Sequence, residues 1–487
     1  MAGAAIALLA AFVVGCPSLS DLATNTMDGA VSGHEGDDSG DSYISYIDTV
    51  DGALGGDGTI DAADGPVDVI TVDVSDTCPT EHADDLHGIF VSSSGTTASN
   101  CGSKTQPCST IQLGIDRAKI VLGTTRVYVD SGTYHEVIKL IGGITVQGGW
   151  DNVGGVWHRQ CTKTRVASVT IAGEGGYGVK AESIGSPTTL DTLSIAVANT
   201  ASAGQSLYGI YAVGASTALN LVDVSVAVGN GGTGTTGSTG ASGQNRAARC
   251  SGAGGATGTI GGTGTSGVLG TFGPTGYTAS GAAGTGSVGG AGFGTVGGGG
   301  SSNTGCVDVC GPFTGLCSSL NTTYMTVTAQ QGSGGCGGEG GVGGGGGGGG
   351  GSAVAVFAWD AHVNITRGAA YAGNGGTGGA GGAGGGGALG SVGTKGSDTS
   401  CVTYCVLGPS ECQKTGGLTT ISGGAAGARG GTGGQGGQGG GGTGGSSYAI
   451  FQGPSGAVTV SGTALTHGLA GAGSGAAQSG NAGDKGP

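Results

Sequence analysis

Short runs of alternating apolar and polar residues recur along the chain, separated by long stretches of small residues. A β-strand places successive side chains on opposite faces, so each run predicts a short strand with one buried face. No run is large enough to bury its apolar face alone, which predicts stacked repeat units that share one core. Five units carry this pattern: Tyr177–Ala181 with Leu190–Val197, Leu207–Gly234, Tyr324–Val327, Ala353–Trp359 with His362–Ile365, and Tyr448–Phe451 with Ala457–Val460. In the fourth unit we expect Val354, Val356, Ala358, Val363 and Ile365 to face inward.

The segment before these units predicts a strand, a helix and then pairs of strands. Gly88–Ser92 is a short β run, and Ile111, Ile115 and Ala118 recur at helical spacing. Ser109 or Thr110 is suited to cap that helix. Further β runs follow at 126–129, 137–140 and 144–146, with Trp150 and Trp157 expected to pack near them.

This order of elements is similar to the N-terminal end of right-handed parallel β-helices of the pectin-lyase-like class. Two runs carry the resemblance, Val127–Glu136 and Ile144–Gly149. It implies a β fold, a single-stranded solenoid whose N-terminal helix covers the open end of the core. Residues 87–170 would form this cap and the first rungs, and residues 171–487 the rungs with glycine-rich, disulfide-stapled insertions. One scaffold of this kind hosts enzymes and non-enzymes, so the resemblance implies no activity.

Glycine-rich tracts follow most of the units. Glycine supplies 122 of 487 residues, where about 7 % is usual. It recurs at every third position in 252–276 and 231–243, while 375–385 and 430–440 read Gly-Gly-X. Three residues is the repeat of the polyproline-II conformation, which brings every third residue to one face.

Three interpretations of the tracts remain open at the level of sequence. A collagen triple helix needs abundant proline, and residues 252–276 contain only Pro274. Flexible linkers are the second, because glycine loses the most entropy when ordered. The third is a set of extended glycine helices packed side by side, similar to the polyglycine-II bundles of some antifreeze and phage-adhesion proteins. Insertions in repeat folds collect on one face, which is often the binding face.

The N-terminus predicts export. The apolar run Ala4–Val14 is too short to span a bilayer and suits the core of a signal peptide. The sequence Val13-Val14-Gly15-Cys16 also resembles the lipobox of bacterial lipoproteins, in which the cysteine is acylated. The resemblance implies a lipoprotein signal peptide over residues 1–16 and a lipid on Cys16. No Lys or Arg precedes the run, so two alternatives stay open: Met1 is not the true start, or the run is a buried strand with a chance cysteine.

The formal net charge of −15 comes from one segment. Residues 17–86 contain 17 of the 31 Asp and Glu and no Lys or Arg. Like charges at this density repel, which predicts an acidic, disordered tether. Gly56–Asp64 resembles part of a dockerin or EF-hand loop, but Ala53 and Gly55 stand where the first two ligands belong, so such a site would bind calcium weakly. The rest of the chain has no basic cluster, which argues against a nucleic-acid partner.

The cysteines predict disulfides. Thirteen are present, and removing Cys16 leaves an even set, as expected for an exported chain. Two copies of a C-x3-C-x6-C element suggest staples, although three thiolates also suit zinc. We favour disulfides, and predict no metal site. The candidates are Cys78, Cys101, Cys108, Cys161, Cys250, Cys306, Cys310, Cys317, Cys336, Cys401, Cys405 and Cys412, with Cys101 and Cys108 positioned to close on each other.

Residues suited to catalysis do not form a recognisable motif. Asp130, Glu136, Asp151 and Arg159 lie near one another in sequence, at the capped end of the fold. Polar positions in the repeats are mostly Ser, Thr and Asn, which bind but do not catalyse. We therefore expect a non-enzymatic protein without a cofactor, exported and lipid-anchored at the outer membrane or cell surface. Its glycine-rich loops would make structural or adhesive contacts with surface polysaccharide or another cell-surface protein. The alternatives are a polysaccharide-acting β-helix enzyme and an ice- or surface-binding protein.

Overall fold

The computed structural model describes residues 82–159, 164–168, 176–197, 201–245, 255–279, 282–307, 324–402, 406–407, 412–413 and 418–487. They belong to one compact unit, Asp64–Pro487, and a second unit, Met1–Ala63, lies outside the described residues. The signal peptide predicted for residues 1–16 and the calcium loop considered at Gly56–Asp64 also lie outside them, as does most of the tether predicted for residues 17–86. These three expectations stay predictions.

The described residues form one α-helix and 25 β-strands. In chain order they are β1 (Gly88–Thr96), α1 (Ile111–Ile120), β2 (Arg126–Asp130), β3 (Thr133–His135), β4 (Ile138–Lys139), β5 (Thr145–Val153), β6 (Val156–Arg159), β7 (Thr164–Ser168), β8 (Gly176–Glu182), β9 (Thr188–Asp191), β10 (Leu193–Val197), β11 (Leu207–Val213), β12 (Ala218–Val228), β13 (Thr271–Gly273), β14 (Gly276–Thr278), β15 (Ser302–Val307), β16 (Tyr324–Thr328), β17 (Ala353–Trp359), β18 (His362–Ala372), β19 (Thr399–Val402), β20 (Val406–Leu407), β21 (Cys412–Gln413), β22 (Leu418–Ile421), β23 (Ser447–Gln452), β24 (Ala457–His467) and β25 (Ala482–Gly486).

Two parallel sheets contain most of these strands. The larger has 11 strands in the order β1-β2-β5-β9-β12-β10-β7-β3, continued from β12 by β18 and then β24, with β6 antiparallel to β5. The smaller has six parallel strands in the order β25-β23-β17-β11-β8-β4. The fold is thus mostly β, with most of its strands in two parallel sheets.

Strands that are distant in sequence stack in register. Leu219 of β12 pairs with Val363 of β18, which pairs with Val458 of β24. The Asn364 side-chain amide donates to Asn220 Oδ1 at 3.0 Å, although 144 residues separate the two. Four of the five predicted units contribute one strand to the smaller sheet and further strands to the larger sheet. The prediction that these units stack is confirmed.

The core between the sheets is built from small and medium apolar side chains. Ile210, Val356, Val363 and Ile365 belong to it, together with Ala358. The inward prediction is wrong for Val354. Ala355 and Val356 are consecutive, yet both join this core, so strict alternation breaks there and Val354 packs with outer aromatic rings.

The third predicted unit does not join the stack. Tyr324–Thr328 pairs antiparallel with Ser302–Val307 in a separate two-stranded sheet. The run is followed directly by a glycine tract and not by a second apolar run. It therefore has no partner run with which to contribute to both parallel sheets.

The first elements match their predictions. Ile111, Ile115 and Ala118 are buried on one face of α1, and the Thr110 side chain accepts the N–H of Leu113 as the cap. Trp150 and Trp157 pack with Phe90 and Tyr128 in a separate apolar cluster.

Candidate functional surface: the glycine array

Three of the four stacked units send a glycine tract out from the same end of the strands of the larger sheet. A tract begins where β12, β18 and β24 end, after Val228, Ala372 and His467. Parallel strands in register have their carboxyl ends side by side, so these tracts leave the sheet on the same side. Each later returns to a strand of the smaller sheet, β17, β23 or β25.

Seven tracts hydrogen-bond to one another, and we call this assembly the glycine array. They are tract 1 (229–245), tract 2 (255–270), tract 3 (282–300), tract 4 (329–351), tract 5 (373–396), tract 6 (422–446) and tract 7 (468–481). The bonds recur every third residue. The N–H groups of Gly231, Gly234, Gly237, Gly240 and Gly243 donate to carbonyls of tract 5, with N···O distances of 2.7–2.8 Å.

The bonds arrange the tracts in two layers. Tracts 1, 4 and 3 are consecutive neighbours in one layer, and tracts 5, 6 and 2 in the other. Further bonds join the layers, and tract 7 bonds to tracts 5 and 6. Among the tracts as described, the flexible-linker interpretation therefore fails, because their backbone groups are paired in a regular network.

The sequence patterns separate tracts with few neighbours from enclosed tracts. Tracts 1 and 2 end their layers, have two neighbours each, and read mostly Gly-X-X, with one inward row of glycine. Tract 6 contacts tracts 2, 3, 4, 5 and 7 and reads Gly-Gly-X over 430–440. Tract 4 lies between tracts 1, 5, 6 and 3, and its residues 343–351 are all glycine. Two neighbours thus leave room for two side chains in every three residues, and four or five neighbours leave room for one at most in these segments.

Inward positions have no room for a methyl group. A Cβ on Gly344 would overlap the carbonyl oxygen of Gly382, and one on Gly437 would overlap that of Gly262. The remaining positions point outward: Gln435 and Gln438 are exposed on tract 6, as are Thr377, Ala380 and Ala383 on tract 5. Glycine thus sets the distance between tracts, and the X residues form the surface.

The exposed surface of the array is nearly uncharged. The seven tracts contain three charged residues, Glu339, Lys395 and Arg429. The other outward side chains are mostly Thr, Ser, Gln and Ala, with nine exposed large apolar residues: Ile260, Val268, Val288, Phe293, Val296, Val342, Leu389, Val392 and Leu469. This surface suits contact with neutral, hydrogen-bonding partners more than electrostatic capture.

One predicted disulfide lies entirely within the described side chains. Cys101 and Cys108 are bonded, with an S–S distance of 2.01 Å. Cys336 and Cys401 are also disulfide-bonded. The other candidates, and the predicted lipidation site Cys16, lie outside the described side chains: Cys78, Cys161, Cys250, Cys306, Cys310, Cys317, Cys405 and Cys412.

Two of the acids considered for catalysis, Asp130 and Glu136, accept hydrogen bonds from other elements at the start of the fold. Asp130 accepts from Ser92 Oγ at 2.7 Å and from the N–H of Asn152 at 3.0 Å. The two oxygens of Glu136 accept the N–H groups of Ile111 and Gln112 at the start of α1. Burial raises the pKa of Glu136, and the two hydrogen bonds, which lower it, offset only part of this effect.

Two ion pairs on the larger sheet were missed by sequence reasoning. Arg159 donates to Asp191 at 3.2 Å, and Arg367 makes two bonds with Asp223, at 3.0 and 2.9 Å. The strand register brings Asp223 and Arg367 together across 144 residues, so spacing in the sequence carries no signal for them. Each pair joins two elements of the larger sheet.

The described residues contain neither a side-chain cluster suited to a metal ion nor a helix suited to cross a membrane. No group of three or more His, Cys, Asp and Glu side chains among them is arranged to hold a metal ion. The single described helix is not long and apolar enough to cross a membrane. Comparisons with protein-family models, with curated proteins and with solved structures found no match.

Proposed function

We propose that this chain is a non-enzymatic, lipid-anchored cell-surface protein. A right-handed parallel β-helix would carry the glycine array as a polyglycine-II-like platform for structural or adhesive contacts. The observation that carries the proposal is the array itself: a hydrogen-bonded, two-layer assembly whose outward rows are almost free of charge. A flexible glycine linker would not need the neighbour-matched patterns that these tracts have.

Three further observations support parts of the proposal. The in-register stacking of Leu219, Val363 and Val458 supports the β-helix, since such ladders form when equivalent strands of successive rungs pair. The three-residue hydrogen-bond period supports the polyglycine-II-like conformation. The pairing of Asp191 with Arg159 and of Asp223 with Arg367 gives these charged groups a structural role, which is compatible with a non-enzymatic protein.

Adhesion is tested by adding charge to the outward rows. Gln435→Lys with Gln438→Lys should weaken binding of the purified chain to immobilised neutral surface polysaccharide, because the lysine ammonium groups are strongly hydrated and must lose water to enter a contact with an uncharged partner. The control is Glu182→Lys, at the end of β8 in the smaller sheet and outside the array. Equal binding by the doubly charged variant and wild type would argue against an adhesive array.

The anchor has a separate test. Cys16→Ala should release the protein from membrane fractions if that cysteine carries lipid. Unchanged retention would rule out lipidation at Cys16 while leaving the role of the array open.

The regular rows also favour a second candidate, binding to ice or another ordered surface. Thr377, Ala380 and Ala383 lie on one exposed row, with a repeat of about 9 Å for three residues at about 3.1 Å each. Shaping of ice crystals by the purified protein would support this candidate, and its absence would remove it. Turnover of a polysaccharide by the same protein would instead contradict the non-enzymatic assignment.

A further inference from the structure

An aromatic cluster lies on the outer side of the smaller sheet. Equivalent positions of successive strands supply its rings, which stack in sequence: Tyr211 on Phe357 with centroids 5.2 Å apart, and Phe357 on Phe451 at 5.5 Å. Phe272 continues the stack at 4.0 Å from Phe451. Stacked rungs therefore place aromatic rings in a continuous column.

A short hairpin after tract 2 completes this column. It consists of β13 and β14 and carries Phe272. Three hydrogen bonds hold it against the sheet and the array: Tyr211 Oη donates to the Pro274 carbonyl, the Tyr277 N–H donates to Tyr208 Oη at 2.6 Å, and Tyr277 Oη donates to the Gly444 carbonyl at 3.2 Å. The position of Phe272 is thus fixed by its surroundings.

A pocket of about 350 Å³ opens at the end of the column. Its apolar wall is formed by Phe272, Trp359, Tyr448 and Phe451, and its polar groups include the amides of Gln452 and Asn481. None of the described residues that line it carries a charged side chain. The size falls within the range of about 300–1,000 Å³ usual for small-molecule sites.

We propose that this pocket binds a neutral sugar ring of a surface or extracellular polysaccharide. A pyranose has C–H faces that pack on flat aromatic surfaces and hydroxyl edges that bond to planar amides, and the pocket offers both. Gln452 Oε1 accepts the N–H of Val458 at 3.2 Å, which orients the amide and leaves its two N–H donors for a hydroxyl. A charged ligand would be desolvated here without a charged side chain of the lining to pair with it, which is costly.

An organic cation is the main alternative ligand for an aromatic pocket. An aromatic cage for a quaternary ammonium group surrounds the cation with several ring faces. Here Phe272 and Phe451 stack on each other with centroids 4.0 Å apart, which covers one face of each ring, and Tyr448 is inclined to them by 64° and 59°. The amides of the lining favour a sugar, because their N–H groups match hydroxyls and a quaternary ammonium group accepts no hydrogen bond.

The inference goes beyond the proposed display role and does not require the array to be adhesive. It is tested with the full-length protein by calorimetric titration with neutral oligosaccharides, with uronic-acid oligosaccharides and tetramethylammonium as competing probes. Saturable binding of a neutral saccharide is expected. Gln452→Glu keeps the acceptor for Val458 but removes the amide donors, and should weaken this binding about tenfold, the cost of one hydrogen bond at a partly buried site. The matched control is Gln435→Glu on tract 6, which should bind as wild type does.

Tryptophan fluorescence locates the bound sugar. The chain has three tryptophans, and Trp150 and Trp157 are buried in the separate cluster near the first strands. A saccharide-dependent change in emission should therefore disappear in Trp359→Phe, with circular dichroism confirming that the variant is folded. The proposal is overturned if wild type binds no neutral saccharide, if binding is unaffected by Gln452→Glu, or if tetramethylammonium binds more tightly than any sugar. None of these outcomes affects the adhesion test with the charge variants of the array, so the two proposals are tested independently.

Discussion

Glycine in the array acts through the absence of a side chain. At an inward position such as Gly437, the space of a Cβ is already occupied by a carbonyl oxygen of the next tract. The tracts can approach this closely only because nothing projects between them, and close approach is what lets their backbone groups bond. The same residue costs more entropy to order than any other, so each bond must offset that cost.

A methyl group at an inward position should therefore destabilise the array. We expect Gly437→Ala to reduce the free energy of unfolding by about 1–3 kcal/mol, the usual effect of overpacking. Thermal or denaturant unfolding measures the change. Gln438→Ala, one residue away on the exposed row, is the control and should be close to wild type. Equal stability of the two variants would contradict the close packing of tracts 6 and 2.

Tyrosines of the aromatic column should make stability depend on alkaline pH. Burial, with smaller contributions from Tyr177 and Glu182, raises the pKa of Tyr211 to about 12. A folded pKa above the unfolded value of about 10 gives stabilisation that is complete below pH 10 and is lost as the pH rises towards 12. Denaturant unfolding across this window should show a falling free energy, with a shallower fall in Tyr211→Phe. An identical slope in the variant would show that Tyr211 ionises as freely in the folded state as in the unfolded chain.

At the scale of elements, the strands of the stack depend on one another. Each strand is short, and its inner side chains contact the rungs before and after it. Leu221 of β12 pairs with Leu190 on one side and with Ile365 on the other. The energy of one rung is thus largely its contact with its neighbours, as in other repeat folds.

A cavity in a middle rung should be costly. Leu221→Ala is expected to lower the free energy of unfolding by about 2–5 kcal/mol, because the lost contacts lie in the closed core. The adjacent Val222 is only partly buried and lies outside this core, so Val222→Ala should cost less than about 1 kcal/mol. Denaturant unfolding measures both changes. Similar decreases in the free energy of unfolding for the two variants would contradict the placement of the Leu221 side chain in the core.

Sequence patterns predicted where the helix and the strands lie better than they predicted which strands and tracts pair with one another. The periodicity of Ile111, Ile115 and Ala118 identified α1, and alternation identified the strands of four units, because both signals are local. Alternation failed at Val354, where two consecutive residues turn inward, and the run at Tyr324 looked like a rung because its short pattern is the same. For the array, the three-residue period identified the inward row of tract 1, but nothing local identifies tract 5 as its partner. The aromatic pocket combines residues from Phe272 to Asn481 and could not be recognised before the stack was known.

At the scale of the whole molecule, the array joins segments that are far apart in the chain. Tract 1 bonds to tract 5 across more than 140 residues. Contacts of such long range are expected to fold slowly, because the long intervening loops must close before the bonds form. The array and the stack are then parts of one cooperative structure.

Hydrogen exchange should reveal the order of the array directly. In tract 6 the N–H groups of Gly433, Gly434, Gly436 and Gly437 donate to neighbouring tracts, while Gln435 lies on the exposed row. We expect slow exchange at the paired glycines and faster exchange at Gln435, repeated every three residues. Nuclear magnetic resonance of the isotopically labelled protein measures this pattern. Uniformly fast exchange along the tract would indicate a disordered linker.

The three-residue period also constrains how these insertions can change in length. Removing one Gly-Gly-Gln step from tract 6 shifts the rest of the tract by a whole turn and leaves every remaining glycine in an inward row. Removing a single residue rotates all later positions by about a third of a turn, so that Gln438 would take a place that only glycine fits. Only insertions or deletions of whole three-residue steps therefore keep the glycines in the inward rows. Natural variants are expected to lengthen or shorten the tracts in multiples of three residues.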